Sequence, residues 1–203
     1  MIRKKVLLGT LKVRHKIVEL LAPRLWKNMQ TVASRPMIDF LAYKFHQKLI
    51  GVEIGVYAGV NALRILSKLS IERLYLVDPY VPYIYRDGIF VTAGKEALAR
   101  KRLRKFEAKT TFLIEKSEDA FPKIPNNLDF VYIDGDHSYE AVKQDIQNYF
   151  PKIKPGGIIG GHDFSAECLG VPIAVLEFVG NMNLKLYGKN LDWWVVKKEE
   201  NES

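Results

Sequence analysis

The stretch YIDGDHSYEAVKQDI, residues 132–146, sets Asp134, Asp136 and His137 where an apolar run gives way to a helical pattern. A second polar pair, His162 and Asp163, closes another apolar run, GGIIGGHDF. Carboxylates and imidazoles are the side chains that hold divalent ions or move protons near neutrality. If the two runs are neighbouring strands, Asp134, His162 and Asp163 meet at their ends. The imidazole of His162, with an ordinary pKa of about 6.5, equally suits a base acting without metal. His137 either faces the same centre or orients its loop, and Asp136 is expected to cap the helix that begins near Ser138.

A second group of residues has the spacing of a nucleoside site. VEIGVYAG brings Glu53, Gly55, Tyr57 and Gly59 to the end of an apolar run. Gly55 and Gly59 would allow a tight turn and a close backbone approach to a ligand, although a plain strand-to-helix turn needs the same residues. The dinucleotide fingerprint is broken, because Tyr57 stands at its second glycine, and no P-loop sequence occurs. Asp78 ends the next apolar run, about 20 residues on, where an acid can accept hydrogen bonds from ribose hydroxyls. Before Pro79, it also fits a turn. Ser117 and Glu118, in KSEDAF, follow a third run and could meet an adenine or its ribose.

These positions make sense only if the runs alternate with helices in one sheet. LIGVEIG, RLYLVD, TTFLIE, LDFVYID and GGIIGG read as strands. VNALRILSKL, the basic TAGKEALARKRLRKFEA, YEAVKQDIQNYF and PIAVLEFV read as helices. Such alternation predicts parallel strands with crossover helices. LKLYG and LDWWVVKK, joined by a glycine-containing turn, predict a terminal antiparallel hairpin, with at least one of Trp193 and Trp194 in the core or an interface. Helices are expected around Ile17 to Leu25 and from Pro36, leading into the larger unit. The segment 79–90, with Tyr80, Tyr83 and Tyr85, is either a lid or a packed aromatic loop.

The chain has 203 residues, 48% hydrophobic and 27% charged, enough for one sizeable core. No apolar run approaches the roughly 20 residues of a membrane span. The basic start MIRKKVLLGTLKVRHK soon meets Lys12 and Arg14 and lacks a small-residue cleavage site, so it reads poorly as a secretory signal. Cys168 is the sole cysteine and can form no intramolecular disulfide, which suits a reducing, cytoplasmic setting. The net charge of +8 favours an acidic partner or substrate, but solvated helix faces explain it as well. No nucleic-acid motif accompanies it, and a nucleic-acid or membrane partner is not expected.

Taken with VEIGVYAG, LYLVDPY, KSEDAF, LDFVYIDGDHSYEAVKQDI and KPGGIIGGHDF, the chain resembles class I S-adenosylmethionine-dependent methyltransferases over roughly residues 50 to 197. Within them it is similar to the branch of catechol and macrocin-type sugar O-methyltransferases, IDGDHSYEAV being the most specific match. The resemblance implies an α/β, Rossmann-like fold: a seven-stranded, mostly parallel sheet with an antiparallel last strand and helices on both faces. It divides the chain into an N-terminal helical extension (1–48), a methyltransferase domain (49–198) and a tail (199–203). It further implies that Glu53, Gly55, Tyr57 and Gly59 lie by the methionine part of S-adenosylmethionine, Asp78 at the ribose, and Ser117 with Glu118 at the adenine. Asp134 would border both cofactor and metal.

Relatives with a magnesium site tend to have an acidic residue followed by Asp or Asn where this chain has His162 and Asp163. The substitution leaves two alternatives: Mg²⁺ or Mn²⁺ held by Asp134, His162 and Asp163, or no metal and His162 or His137 as base. The expected reaction is O-methylation of a small-molecule hydroxyl, on a sugar, phenol or related metabolite, which the basic charge would allow to be anionic, by a chain whose N-terminal helices could pair in a homodimer. Two other classes compete. A metal-dependent phosphoesterase would use GDH and GGHD but leave the glycine turn and Asp78 idle. A noncatalytic module would bind nucleic acid or membrane through its basic face.

Overall fold

A computed structural model describes residues 35–85, 88–90, 92 and 94–199. The helix expected around Ile17 to Leu25, like the basic start of the chain, lies outside the described residues. Helix α1, Pro36–Lys44, starts with proline in its first turn, where the missing N–H costs nothing, and ends as Phe45 turns extended. Strand β1 (Leu49–Ile54), helix α2 (Val60–Lys68) and strand β2 (Ile71–Val77) follow. A short hairpin of β3 (Tyr83–Tyr85) and β4 (Gly88–Phe90) then occupies the segment after β2. The expected long basic helix is α3, Lys95–Leu103, continued by a 3₁₀ stretch, Arg104–Lys109. Next come β5 (Thr110–Leu113), α4 (Ser117–Ala120), β6 (Leu128–Ile133), α5 (Tyr139–Tyr149), β7 (Ile153–Gly161) and α6 (Gly170–Asn181). Strands β8 (Leu186–Lys189) and β9 (Asp192–Val196) close the chain.

The main sheet has seven strands in the order β5-β2-β1-β6-β7-β9-β8. The first five in that order pair in parallel, and β9 runs antiparallel to both β7 and β8. The chain therefore builds outward from β1 in one direction, then returns to add β6 on its other side. That reversal places a crevice at the carboxyl ends of β1 and β6. The hairpin turn differs from expectation: its central residues are Asn190 and Leu191, both at positive φ, and Gly188 lies within β8. Two left-handed residues give the turn the twist of the strands it joins.

Side chains alternate between two apolar layers. Val52, Ile54, Val77, Val131, Ile133, Ile159 and Trp193 pack with Val142, Ile146 and Tyr149 of α5 and Val171, Ala174 and Val175 of α6. Leu74, Leu76, Phe130, Tyr132, Ile158 and Trp194 pack with α1, α2 and α3 on the opposite face. Both tryptophans are thus core residues, one per layer, each of them burying an area worth about 2 kcal/mol or more. Met37, Ile38 and Leu41 of α1 are fully buried in the second layer, so the described part of the N-terminal extension shares the core of the sheet. No helix among the described residues is long and apolar enough to cross a membrane.

Candidate active site

Strand β1 stops at Ile54 because Gly55 takes φ +86°, open to glycine and costly to other residues. A side chain here is excluded by more than backbone strain. A Cβ at Gly55 would stand 2.1 Å from the Asp134 carbonyl oxygen, so the turn can pass over the end of β6 only as glycine. The reason for this glycine is therefore its crossing of Asp134, where the sequence suggested approach to a ligand. Gly59, the N-cap of α2, has φ +71° and lies against Ala99 of α3, away from the crevice.

Asp78, just past β2, holds the same turn. Its Oδ2 accepts the backbone N–H groups of Val56 (3.0 Å) and Tyr57 (2.7 Å), and its Oδ1 accepts that of Tyr80 (2.8 Å). Tyr57 is itself left-handed, at φ +49°, with its ring 4.7 Å from the Lys95 ammonium. Glu53 departs from expectation. It is wholly buried beneath the turn, has no surface on the crevice, and takes one hydrogen bond from Asn61 Nδ2 (3.0 Å). Burial, only partly offset by Asn61, pushes its carboxyl up to about 8. Its Oε2 has no hydrogen-bond partner.

Beyond β5, Ser117 opens α4 and is gripped from α5 by Tyr149, whose Oη donates to its carbonyl (2.8 Å), while the Ser117 Oγ donates to Glu118 Oε2 (3.5 Å). Asp145 follows Val142 on the buried stripe of α5, and burial raises its carboxyl to about 7. Sequence reasoning passed over it. The available signal was an acid at i+3 from an apolar residue on a core-facing stripe. At the head of α5 the cap is Ser138, whose Oγ accepts the Ala141 N–H, while Asp136 accepts the N–H of Ser138 itself. Asp136 thus fixes the cap residue, one step removed from the role expected of it.

Together these residues enclose a cleft of about 630 Å³, lined by Gly55, Tyr57, Asp78, Lys116, Ser117, Glu118, Asp134 and Asp136 among others. The volume is that of a small-molecule site. Although the chain is basic, among the described residues six carboxyl residues (Asp78, Glu118, Asp134, Asp136, Glu140 and Asp145) line the cleft against one lysine, Lys116.

Beside it, joined at Asp134, is the polar cluster. Asp134, at the end of β6, donates its N–H to Ile54 O (2.7 Å), and His162, at the end of β7, donates its N–H to Ile133 O (3.1 Å). Parallel pairing of β6 with β7 thereby brings both side chains together, as the spacing predicted. Asp163 follows in a left-handed conformation, φ +57°, tolerable for Asp. Asp134, His162 and Asp163 present ligand atoms within 4.8 Å of one another. His137 Nε2 is 3.1 Å from Asp163 Oδ2, so His137 does face the cluster. Burial disfavours its cation, yet the polar contacts of Asp134 and Cys168 and the charge of Asp163 win, raising it to about 10. Asp163 is lowered: its burial is outweighed by the His162 hydrogen bond and the nearby imidazoles. Across the sheet from His162, Asp192 accepts Tyr132 Oη (2.8 Å) and the Met37 N–H (3.1 Å), which ties α1 to the same end of the sheet.

The profile of a family described as a methyltransferase domain matches residues 52–164, more than half of the chain. Uncharacterized protein R132 of Acanthamoeba polyphaga mimivirus is 28% identical over 137 residues, 63% of this chain; the chain spans 58% of the length of that relative. Cofactor-bound Rv0187 from MTB superposes with a TM-score of 0.62 at 15% identity, over 95% of this chain and 91% of that one. The O-methyltransferase NovP gives 0.63 at 19% identity, over 81% and 79%. From the profile match and the β5-β2-β1-β6-β7-β9-β8 sheet, the chain belongs to the methyltransferase domain family, on the class I, S-adenosylmethionine-dependent fold.

Proposed function

We propose that this chain transfers a methyl group from S-adenosylmethionine to a hydroxyl of a small acceptor, such as a sugar or phenol, with a divalent ion or a histidine assisting. The observation that carries the reading is the acidic cleft at the strand-order reversal, opening at Asp134 onto the histidine and aspartate cluster. A carboxyl-rich lining favours a cationic ligand, such as a sulfonium compound with its free amine, and repels phosphate. It therefore favours the methyl donor over the phosphoester that a hydrolase would need.

The residues fit the donor. Asp78 Oδ1 accepts one N–H and keeps capacity for a ribose hydroxyl, while Oδ2 is spent on the turn. Ser117 and Glu118 flank the cleft at the next strand end, where an adenine would lie, and Gly55 and Tyr57 border the methionine end. When bound, S-adenosylmethionine supplies an electrophilic methyl, and a dication at Asp134, His162 and Asp163 would lower the pKa of an acceptor hydroxyl. The chain itself supplies position and proton acceptance. Holding the acceptor oxygen in line is worth several kcal/mol, and where no metal binds His162 can accept the hydroxyl proton, His137 being already protonated near neutrality.

The test is transfer of labelled methyl from S-adenosylmethionine to a panel of polyols, catechols and sugar nucleotides, with and without chelator. Label in a hydroxyl ether supports the reading, and its loss in chelator supports the metal. Label only in RNA or protein, or hydrolysis of a phosphoester without any donor, contradicts it.

A further inference from the structure

Asp145 lines the cleft and yet is only 3% exposed, and its Oδ1 has no hydrogen-bond partner. The position follows from helical spacing: Ala141, Asp145 and Tyr149 recur every four residues along α5 and share one face. Tyr149 spends its hydroxyl on the Ser117 carbonyl, and Ala141 reaches the cleft with a methyl group alone. Glu118, across from α5 on α4, is exposed, and its two oxygens already face Lys116 Nζ (3.7 Å) and Ser117 Oγ (3.5 Å). Water can replace either of those partners at little cost. A buried acceptor without a donor is a larger penalty, which a ligand N–H relieves. The torsion that orients a carboxyl group is broad, so a small rotation turns an Asp145 oxygen towards a donor entering from the cleft.

We propose that Asp145 selects the base of the methyl donor, its carboxyl group accepting a hydrogen bond from the exocyclic amine of adenine. The inference rests on the methyl-donor reading above and adds to it the side chain that requires a 6-amino purine. The charges acting on Asp145 are those of Glu118 and Asp136, both negative, so its surroundings favour a ligand N–H over a carbonyl or phosphate oxygen. Adenine carries that N–H on a flat, largely apolar ring, and Val77, Pro79 and Ala141 are among the apolar residues of the lining. Protonated or ionised, the carboxyl keeps an oxygen that accepts. Recognition therefore needs an acceptor at this position and not a charge, and the amide of an asparagine would serve as well.

The experiment measures, by calorimetry on the full chain, the binding of S-adenosylhomocysteine and of its analogue in which unsubstituted purine replaces adenine. Wild type should bind the analogue at least about tenfold more weakly. Asp145→Leu should lose about tenfold or more of the affinity for S-adenosylhomocysteine and distinguish the two ligands by less than about threefold, while Asp145→Asn keeps the wild-type ratio within about threefold. Because the readout is a ratio of two ligands on one protein, a general loosening of a variant cancels, and far-ultraviolet circular dichroism shows that each variant is folded. Wild type that binds both ligands equally overturns the proposal and leaves the methyl-donor reading standing. A folded Asp145→Leu that still favours the amine by about tenfold also overturns it, because another group then reads the base. Failure of wild type to bind either ligand removes the methyl-donor reading itself, and this proposal with it.

Discussion

At the half of the cleft proposed to take the methyl donor, one carboxylate, Asp78, takes three backbone N–H groups and so shapes the turn at Gly55. At the half proposed to carry the reaction, Asp134, His137, His162 and Asp163 face one another side chain to side chain, with strongly shifted protonation at His137. The first arrangement depends on backbone geometry and tolerates few changes of shape. The second depends on chemical groups mounted on strand ends that the sheet already fixes. Shape and chemistry are therefore separable in this molecule, and substitutions should affect one half without the other.

The largest separation is expected from Asp163→Asn, which keeps a residue tolerant of positive φ and removes the charge between the imidazoles. Methyl transfer should fall by roughly 10² to 10⁴, with S-adenosylhomocysteine affinity within about twofold of wild type. A parallel loss of affinity would merge the two halves. Gly55→Ala probes the opposite case. With its new Cβ 2.1 Å from the Asp134 carbonyl, the turn must shift, costing about 3 kcal/mol or more of stability in chemical denaturation. A wild-type midpoint would mean that the crossing is looser than described.

Asp78→Ala should weaken S-adenosylhomocysteine binding by roughly 10- to 100-fold, from the loss of charge-assisted hydrogen bonds and of the ordered turn. Unaltered affinity would remove Asp78 from the donor half. Glu53 sharpens the contrast through pH. Its folded pKa, about 8, is raised above the ordinary value of 4.5, so the folded state holds the proton more tightly. Its contribution to stability is complete below about pH 4.5, declines as pH rises, and is gone above about pH 8. Glu53→Gln should therefore raise the melting temperature at pH 8.5 by an amount worth roughly 3 to 4 kcal/mol more than at pH 5. Equal shifts at both pH values would show that Glu53 is not held neutral. Ser138→Ala, which removes only the cap of α5, should cost about 1 kcal/mol and leave the pH profile of methyl transfer alone.

The arrangement of strands was readable because each buried strand is a short apolar run closed by a polar or glycine residue, as LDFVYID and RLYLVD show. Asp78, Asp134 and His162 were readable for the same reason, since position at a strand end decides which groups meet. Contacts made across the sheet carry no such mark. Asp192 looks like an ordinary turn residue until Tyr132 and Met37 are seen on it, and Glu53 looks like a ligand contact until strand alternation turns it towards Asn61. Nor could a left-handed pair at Asn190 and Leu191 be anticipated, because leucine rarely adopts that conformation and Gly188 was the more natural turn residue.

Calorimetric titration of the wild-type chain with S-adenosylhomocysteine tests the central claim most directly. One site per chain with a dissociation constant in the micromolar range or tighter, about −8 kcal/mol or better, is the expected result. No saturable heat up to millimolar ligand, from a folded sample, would contradict the assignment of the acidic cleft to a methyl-donor nucleoside.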